Sequence, residues 1–202
     1  MSAVAAGRTR ARLLGSAQEL VEEGGYGAAS VAAIAERAGV AAGTLYRHWP
    51  SKGELFAELF RVVCDGEVAA MDRAAHRAER RADANHVQTV QAVLMTFAER
   101  ALRNPRLAWA LIAEPVDPLV DAERIAYRSE YARRLVDGLH QAIAAGEIPE
   151  QDVALTAAAL VGGVGEALVG PLSPPAGTAP PAAEIIEALR AFVARAVGAW
   201  PR

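Results

Sequence analysis

The sequence of 202 residues predicts an all-α protein, and three of its features support that prediction. Alanine, leucine, glutamate and arginine, all good helix formers, dominate the composition. Glycine and proline are concentrated in a few short stretches, where they would end helices. No run of alternating apolar and polar residues is long enough to indicate a β-strand.

Apolar residues at helical spacing predict four helices in the first part of the chain, each bounded by a residue that caps or breaks it. Gly24 and Gly25 stop the first helix, and we expect Gly25 in a left-handed cap. Ser30 is the expected N-cap of the second helix and Ser51 that of the long fourth. The expected helices cover about 9–23, 31–38, a short stretch that ends at 48, and a long stretch from 52.

Five more helices are predicted in the rest of the chain, at about 87–103, 106–114, 119–145, 151–169 and 182–199. A polar break at 83–85 precedes them, and a proline-rich connection at 171–181 must stay extended and exposed. The prediction is therefore a small three-helix head, residues 1–52, followed by a larger helical body, residues 53–202. The fourth helix should pack on both parts.

Several classes of protein are disfavoured by the sequence. Cys64 is the only cysteine, which excludes an intramolecular disulfide and offers no zinc spacing. No apolar run resembles a signal peptide or is long enough to span a membrane, so we expect a cytoplasmic protein without a membrane partner. No nucleophile motif, phosphate loop, paired carboxylate or metal-ligand spacing is present, so we expect no enzyme, no cofactor and no metal.

The charge is unevenly distributed along the chain. The net charge of −3 alone argues against a nucleic-acid partner. Residues 1–52 nevertheless carry six basic and four acidic side chains, a net charge of +2, and the remainder carries −5. A slightly basic head on an acidic body is the distribution expected when the head alone meets an anionic partner.

The stretch AGVAAGTLYRHWPSK, residues 38–52, completes the pattern of a helix-turn-helix. The small Ala35 lets the two helices cross closely, Gly39 turns the chain, and Leu45 fills the crossing. This pattern alone fits a helical hairpin that merely completes a core as well as it fits a DNA-binding element.

Three further features favour DNA. Pro50 ends the second helix of the motif at the length of a groove-reading element. The arginines at positions 8, 10 and 12 lie around the start of the first helix, where a flexible basic arm could follow the DNA backbone. Donors suited to phosphate are crowded at one end of the motif. These donors are Tyr46, Arg47, His48 and Lys52.

With these residues, the chain closely resembles the tetracycline-repressor (TetR) family of bacterial transcriptional regulators. The matching residues are Gly25-Tyr26, Ser30-Val31, Ile34-Ala35, Ala38-Gly39-Val40, Gly43-Thr44-Leu45-Tyr46, His48-Trp49-Pro50, Ser51-Lys52 and Leu55. They follow the family's order and spacing over roughly the first quarter of the chain. The DNA-binding residues that the motif and the resemblance imply are Ser30, Ala41, Ala42, Gly43, Thr44, Tyr46, Arg47, His48 and Lys52.

The sequence departs from the family pattern at three positions. The family usually has serine and a polar residue where this chain has Ala41-Ala42, and phenylalanine where it has Trp49. Alanine can neither cap the recognition helix nor donate to a phosphate, although it can touch a thymine methyl. We therefore expect weaker anchoring to the DNA backbone, not loss of binding.

The resemblance implies that the body binds a small, largely apolar effector and releases the head from a palindromic operator. Candidate ligand-binding residues are Phe97, Trp109, Tyr127, Arg128, Tyr131 and Glu166. Each has an alternative interpretation: the aromatic residues as core, Arg128 as a surface ion-pair member. Glu166, on an otherwise apolar helix, either faces solvent, pairs with an arginine or meets the ligand.

The last two helices are apolar and predict a homodimer. Their candidate interface residues are Leu160, Val164, Leu168, Ile185, Leu189 and Phe192. Two such surfaces would form a four-helix interface with a second copy, as a palindromic operator on double-stranded DNA requires. The alternative is that both are ordinary core helices of a monomer. At the level of function, the rival is a helical ligand carrier that never binds DNA.

Overall fold

The structure, a computed structural model, describes residues 3–81, 85–173 and 180–199. Within those ranges the regular structure is entirely helical, which confirms the all-α prediction. The elements are α1 (Ala3–Ala28), α2 (Val31–Arg37), a 3₁₀ helix (Ala42–Arg47), α3 (Lys52–Glu79), α4 (His86–Arg103), α5 (Pro105–Ile112), α6 (Pro118–Ala144), α7 (Val153–Leu172) and α8 (Ala182–Ala196). Most of the predicted break at 83–85 and of the connection at 171–181 lies outside the described residues.

Side-chain caps begin several helices where the sequence predicts them. Ser30 Oγ accepts the N–H of Ala33 at 3.1 Å, and Ser51 Oγ accepts that of Glu54 at 3.1 Å. A cap of this kind satisfies a backbone donor that has no partner inside the helix. Both predicted N-caps are therefore confirmed.

Helix α1 differs most from the prediction, because it begins at Ala3 and reaches Ala28. Gly25 breaks it with φ 78° and ψ −178°. The positive φ was expected, but ψ lies outside the left-handed helical region of a normal cap. Only glycine adopts this backbone conformation without strain. The helix is therefore kinked at Gly25, and helical turns continue to Ala28.

The chain forms two compact units, and their limits differ from the predicted division after residue 52. The first comprises Met1–Val63 and Asn104–Arg124, and the second comprises Cys64–Arg103 and Ile125–Arg202. In the first unit, α5 packs along α1, which chain order alone could not indicate. The fully buried side chains of this unit include Leu13, Ile34, Leu45 and Leu55.

In the second unit α4 packs on both α7 and α8. Its fully buried side chains include Leu94, Met95, Leu135, Leu139, Leu160 and Leu168. The carboxylate of Glu147 accepts the N–H groups of His86 and Val87 at 3.1 and 3.0 Å, and so caps α4. These contacts bury the apolar faces that the sequence pattern identified.

Helix α7 corrects one expectation. Its 20 residues are long and apolar enough to cross a membrane by length and composition, although no apolar run of that kind was expected. Length and composition are weak evidence of a membrane span, because a helix in the core of a globular unit meets the same criteria. Here one face of α7 is buried within its own unit and the other presents mainly alanine and glycine.

Candidate nucleic-acid interface

The turn between α2 and the 3₁₀ helix has the geometry that the sequence predicts. Gly39 adopts φ 62°, a conformation that favours glycine, and the N–H of Val40 returns to the carbonyl of Ala35 at 2.9 Å. Ala35 is buried at the crossing, and Leu45 fills it from the other side with no exposed surface. The first unit therefore contains a helix-turn-helix.

The recognition segment, Ala42–Arg47, is wound as a 3₁₀ helix and not as an α-helix. Ala41 stands at its N-cap position without a side-chain hydrogen bond, as expected of a methyl group. At the other end, the N–H groups of His48 and Trp49 both bond to the carbonyl of Leu45, at 2.9 and 3.0 Å. The segment is therefore short and tightly closed before Pro50.

Most of the predicted DNA contacts lie on the surface of this segment. The side chain of Tyr46 is 55% exposed, the largest apolar exposure in the motif. The other exposed members of the predicted set are Ser30, Ala41, Ala42, Gly43 and Arg47. The Ser30 hydroxyl is already occupied by the cap of α2, so it reaches a phosphate only with its remaining hydrogen-bonding capacity.

Thr44 and His48 are placed differently from the prediction. Thr44 is buried, and its hydroxyl accepts a hydrogen bond from Arg47 at 3.4 Å. Its side chain therefore contacts Arg47 within the segment, and its role as a DNA contact stays a prediction. His48 is half-buried, and its ring lies 5.7 Å from that of Trp49.

Lys52 is held against aromatic rings at the start of α3. Its ammonium lies 4.4 Å from the centroid of the Tyr26 ring and 5.2 Å from that of Phe56. A cation over a ring face is attracted by the ring quadrupole. Partial burial lowers the pKa of Lys52, and the negative charge of Glu114 opposes that shift. The two rings therefore hold the Lys52 ammonium beside the first turn of α3.

The arginines expected in a flexible arm belong instead to α1. Arg10 forms an ion pair with Glu58 and lies 5.1 Å from the centroid of the Trp49 ring. Arg12 donates to the carbonyl of Ala38, beside the turn. Because α1 already begins at Ala3, the prediction of an unstructured arm is wrong for the described residues. Arg8 is exposed on the same helix.

Glu58 is a residue that sequence reasoning missed. The indole N–H of the buried Trp49 donates to Glu58 Oε2 at 2.7 Å, and the same oxygen pairs with Arg10. The sequence held one signal for it: position 49 is tryptophan where the family usually has phenylalanine. A buried indole N–H usually has an acceptor, and phenylalanine would need none. Glu58 thus joins α1, the end of the recognition segment and α3.

We expect Trp49→Phe to lower the free energy of unfolding by about 1.5–3 kcal/mol, the usual net value of a hydrogen bond to a charged group. The ring remains while the N–H donor to Glu58 is lost. Urea unfolding followed by circular dichroism measures this change. Glu58→Gln, which keeps an acceptor for the indole, should cost less than Glu58→Ala. Equal stability of Trp49→Phe and the wild type would contradict the assignment.

Of the six candidate ligand residues, the second unit brings three aromatic rings together. Tyr131 is buried, with the Phe97 ring at 5.5 Å and the Tyr127 ring at 6.1 Å. Burial, and next the neighbouring Cys64, raise the pKa of Tyr131 above its ordinary value. The hydroxyl of Tyr127 donates to Asp65 at 2.5 Å.

The other three candidates are not part of this cluster. Arg128 and Glu166 are exposed, so of the alternatives for Glu166 the structure favours the solvent-facing one. Trp109 is half-buried in the first unit, on α5.

The predicted dimer-interface residues also differ from one another in burial. Leu160, Val164, Leu168 and Leu189 are buried inside the protomer, so their side chains are core and not a contact surface. Ile185 is half-buried. Phe192 is exposed on α8, with its ring beside Gly163 of α7. Helical periodicity identified the apolar face correctly, but it could not distinguish burial within one chain from burial between two.

Residues 13–59, which contain this helix-turn-helix, match the family model described as bacterial regulatory proteins, tetR family. Over these residues the chain belongs to the TetR family. Its fold agrees with that assignment, since an N-terminal helix-turn-helix is followed by a larger all-helical region.

The chain is similar to curated repressors over part of their length. It is 32% identical over 102 residues to the HTH-type transcriptional repressor KstR of Rhodococcus jostii (strain RHA1), covering 50% of this chain and 45% of that protein. It is 32% identical over 144 residues to KstR of Mycobacterium tuberculosis (strain ATCC 25618 / H37Rv), covering 71% and 61%. The chain therefore spans about half the length of the curated relatives it matches.

The fold of the chain also agrees with that of a solved structure. The transcriptional regulator FadR from Bacillus subtilis, crystallised in complex with stearoyl-CoA, superposes with a TM-score of 0.74 at 19% identity. The superposition covers 95% of this chain and 99% of FadR. At this level of identity the similarity establishes the fold alone.

Proposed function

We propose that the protein is a DNA-binding transcriptional repressor that leaves a palindromic operator when a small, largely apolar effector binds its second unit. The observation that supports this most directly is the recognition segment, whose Tyr46 and Arg47 project outward while Leu45 and Thr44 secure it from within. The similarity to curated repressors supports the same function.

The exposed chemistry of the segment fits the major groove of DNA. Tyr46 and Arg47 supply hydrogen-bond donors for phosphates and base edges. The methyl groups of Ala41 and Ala42 are exposed and fit the methyl of thymine. Since Ala41 provides no polar cap, sequence preference at this end should depend on apolar contact more than on backbone anchoring.

A palindromic operator needs two heads, and α7 and α8 offer the surface for a second copy. Leu155 is 68% exposed on α7, and the exposed face continues through Ala158, Ala159 and Gly162. Small residues allow close helix packing, and Phe192 on α8 adds a large apolar group. A dimer through this face would present two recognition segments to half-sites about 34–36 Å apart.

For the effector, the rings of Phe97, Tyr127 and Tyr131 supply an apolar surface with phenolic hydroxyl groups. Ligand sites in proteins combine mostly apolar walls with a few polar groups in this way. The FadR structure holds stearoyl-CoA, whose acyl chain is apolar, and a ligand with an apolar portion fits the same proposal here.

Selection of genomic fragments by the full-length chain tests this function. We expect enrichment of a palindromic sequence, with affinity that falls steeply as salt rises because phosphate contacts release counterions. A helical ligand carrier predicts no enriched fragment at any salt concentration, and that result would overturn the proposal.

Tyr46→Ala should weaken binding to the selected operator about tenfold, the scale of one lost contact worth ~1–3 kcal/mol. The side chain is exposed, so the free energy of unfolding should stay within about 0.5 kcal/mol of wild type. Fluorescence anisotropy with labelled operator measures the affinity. Val62→Ala, 53% exposed on α3 outside the motif, is the matched control and should bind as the wild type does.

A further inference from the structure

We propose that Glu114 and Asp117, outside the helix-turn-helix, are positioning residues for DNA binding. Both lie in the turn Glu114-Pro115-Val116-Asp117-Pro118 between α5 and α6, which we call the 114–118 turn. Each carboxylate lies against a glycine of the first unit, one at the end of α1 and one at the start of α3. The inference rests on the proposed DNA-binding function and extends it to residues that the motif does not contain.

The first of these contacts is at Gly25. Glu114 Oε2 accepts the backbone N–H of Tyr26 at 2.9 Å. A Cβ atom on Gly25 would lie 3.1 Å from both carboxylate oxygens of Glu114. Gly25 also has φ 78°, a backbone conformation that favours glycine. The Glu114 carboxylate favours glycine as well, because it leaves little space for a side chain. Glu114 therefore fixes the point at which α1 bends before the motif begins.

The second contact is at Gly53, in the first turn of α3. A Cβ atom there would lie 2.7 Å from the Cγ and Oδ2 atoms of Asp117, closer than non-bonded atoms approach. Glycine inside a helix costs about 1 kcal/mol relative to alanine, so helix propensity gives no reason for it here. Asp117 Oδ1 also accepts the N–H of Leu119 at 3.0 Å, which orients the carboxylate at the start of α6.

The turn that holds both carboxylates is itself tied down. The guanidinium of Arg124 donates to the carbonyls of Leu111 and Glu114, at 2.8 and 3.0 Å, and to Asp121 at 2.7 Å. Prolines at 115 and 118 restrict the backbone further. The 114–118 turn therefore contacts α1 and α3 as one element.

The two contacts bracket the helix-turn-helix in the sequence. Tyr26 precedes α2, and Gly53 follows the recognition segment by a few residues. The aromatic ring of Tyr26 is also the surface that holds Lys52. A shift of the 114–118 turn would therefore move both ends of the motif and one of its predicted phosphate contacts.

The test uses Gly53→Ala in the full-length chain. We measure affinity for the selected operator and for a scrambled duplex of equal length at the same salt concentration. The added methyl must displace Asp117 or the start of α3, so we expect about tenfold weaker operator binding, the size of one lost base contact. Binding to the scrambled duplex depends on phosphates alone, of whose predicted contacts only Lys52 is moved, and should fall by no more than about twofold.

Gly66→Ala is the matched control, because it lies in the same helix with open space around the position of a Cβ. It should retain wild-type binding to both duplexes. Asp117→Ser combined with Gly53→Ala should restore operator binding, since serine is shorter and still caps a helix. A general loss of stability would instead lower binding to both duplexes together, and the second substitution would not restore it.

Glu114 is tested independently, in case Gly53→Ala does not fold. Glu114→Gln keeps an acceptor for the Tyr26 N–H and should bind the operator as the wild type does. Glu114→Ala should lose about tenfold in operator affinity and little for the scrambled duplex. Wild-type preference for the operator in folded Glu114→Ala would overturn the inference. A wild-type chain that selects no DNA would instead overturn the proposed function itself.

Discussion

Leu45→Ala is expected to lower the free energy of unfolding by about 2–5 kcal/mol, the range for removing a large side chain from a packed core. Leu45 is completely buried where α2 crosses the recognition segment. Its loss leaves a cavity that the short 3₁₀ helix cannot fill, because Gly39 and the closing hydrogen bonds at His48 and Trp49 fix its two ends. Chemical unfolding monitored by circular dichroism measures the change.

The same substitution should abolish selective operator binding, since the segment that presents Tyr46 and Arg47 is no longer held. Leu119→Ala is the comparison variant, because this leucine is 42% exposed in the same unit. Its effect on stability should stay within about 0.5 kcal/mol. If the Leu45→Ala and Leu119→Ala proteins were equally stable, the packing described for the motif would be wrong.

Local signals in the sequence predicted the local structure well. Ser30, Ser51 and Gly39 each act within a few residues of their own position, so a cap or a turn could be recognised without tertiary information. The start of α1 was missed although alanine and arginine favour helix. The arginines near the N-terminus were interpreted through a possible partner, while in the structure Arg10 and Arg12 bind groups within their own unit.

Contacts between distant residues were not predictable in the same way. The Glu114 carboxylate and the Tyr26 N–H are 88 positions apart, and no periodicity links them. The buried indole of Trp49 did indicate a missing acceptor, but several acidic residues could have supplied it. Only the structure shows that Glu58 lies within reach of both the Trp49 indole and the Arg10 guanidinium.

The predicted interface between two copies illustrates a further limit of sequence reasoning. Helical periodicity identified the apolar face of α7 and placed Leu160, Val164 and Leu168 on it. One buried face looks the same in sequence whether it packs on its own chain or on another. The structure resolves this ambiguity for the inward face, and it leaves Leu155 and Phe192 exposed, on the face proposed above for a second copy.

Under the proposed homodimer, Phe192→Asp should separate the two copies. Phe192 lies beside Gly163, near the middle of α7, and a carboxylate there would be buried without a partner in each protomer. An unpaired buried charge costs about 3–5 kcal/mol, so dimer affinity should fall about a thousandfold. Sedimentation at micromolar concentration would then give the mass of one chain.

Ile125→Asp is the control. It also replaces an exposed apolar side chain with an acidic one, and Ile125 is 67% exposed on α6, away from α7 and α8 in the sequence. It should remain dimeric. Phe192→Asp should also lose operator affinity at low concentration, since two heads on one palindrome must be joined to bind as a unit. A dimeric Phe192→Asp protein would assign the interface to another surface. If it were monomeric but bound the palindrome with undiminished affinity, each head would recognise its half-site alone, and the operator's symmetry would not depend on α7 and α8.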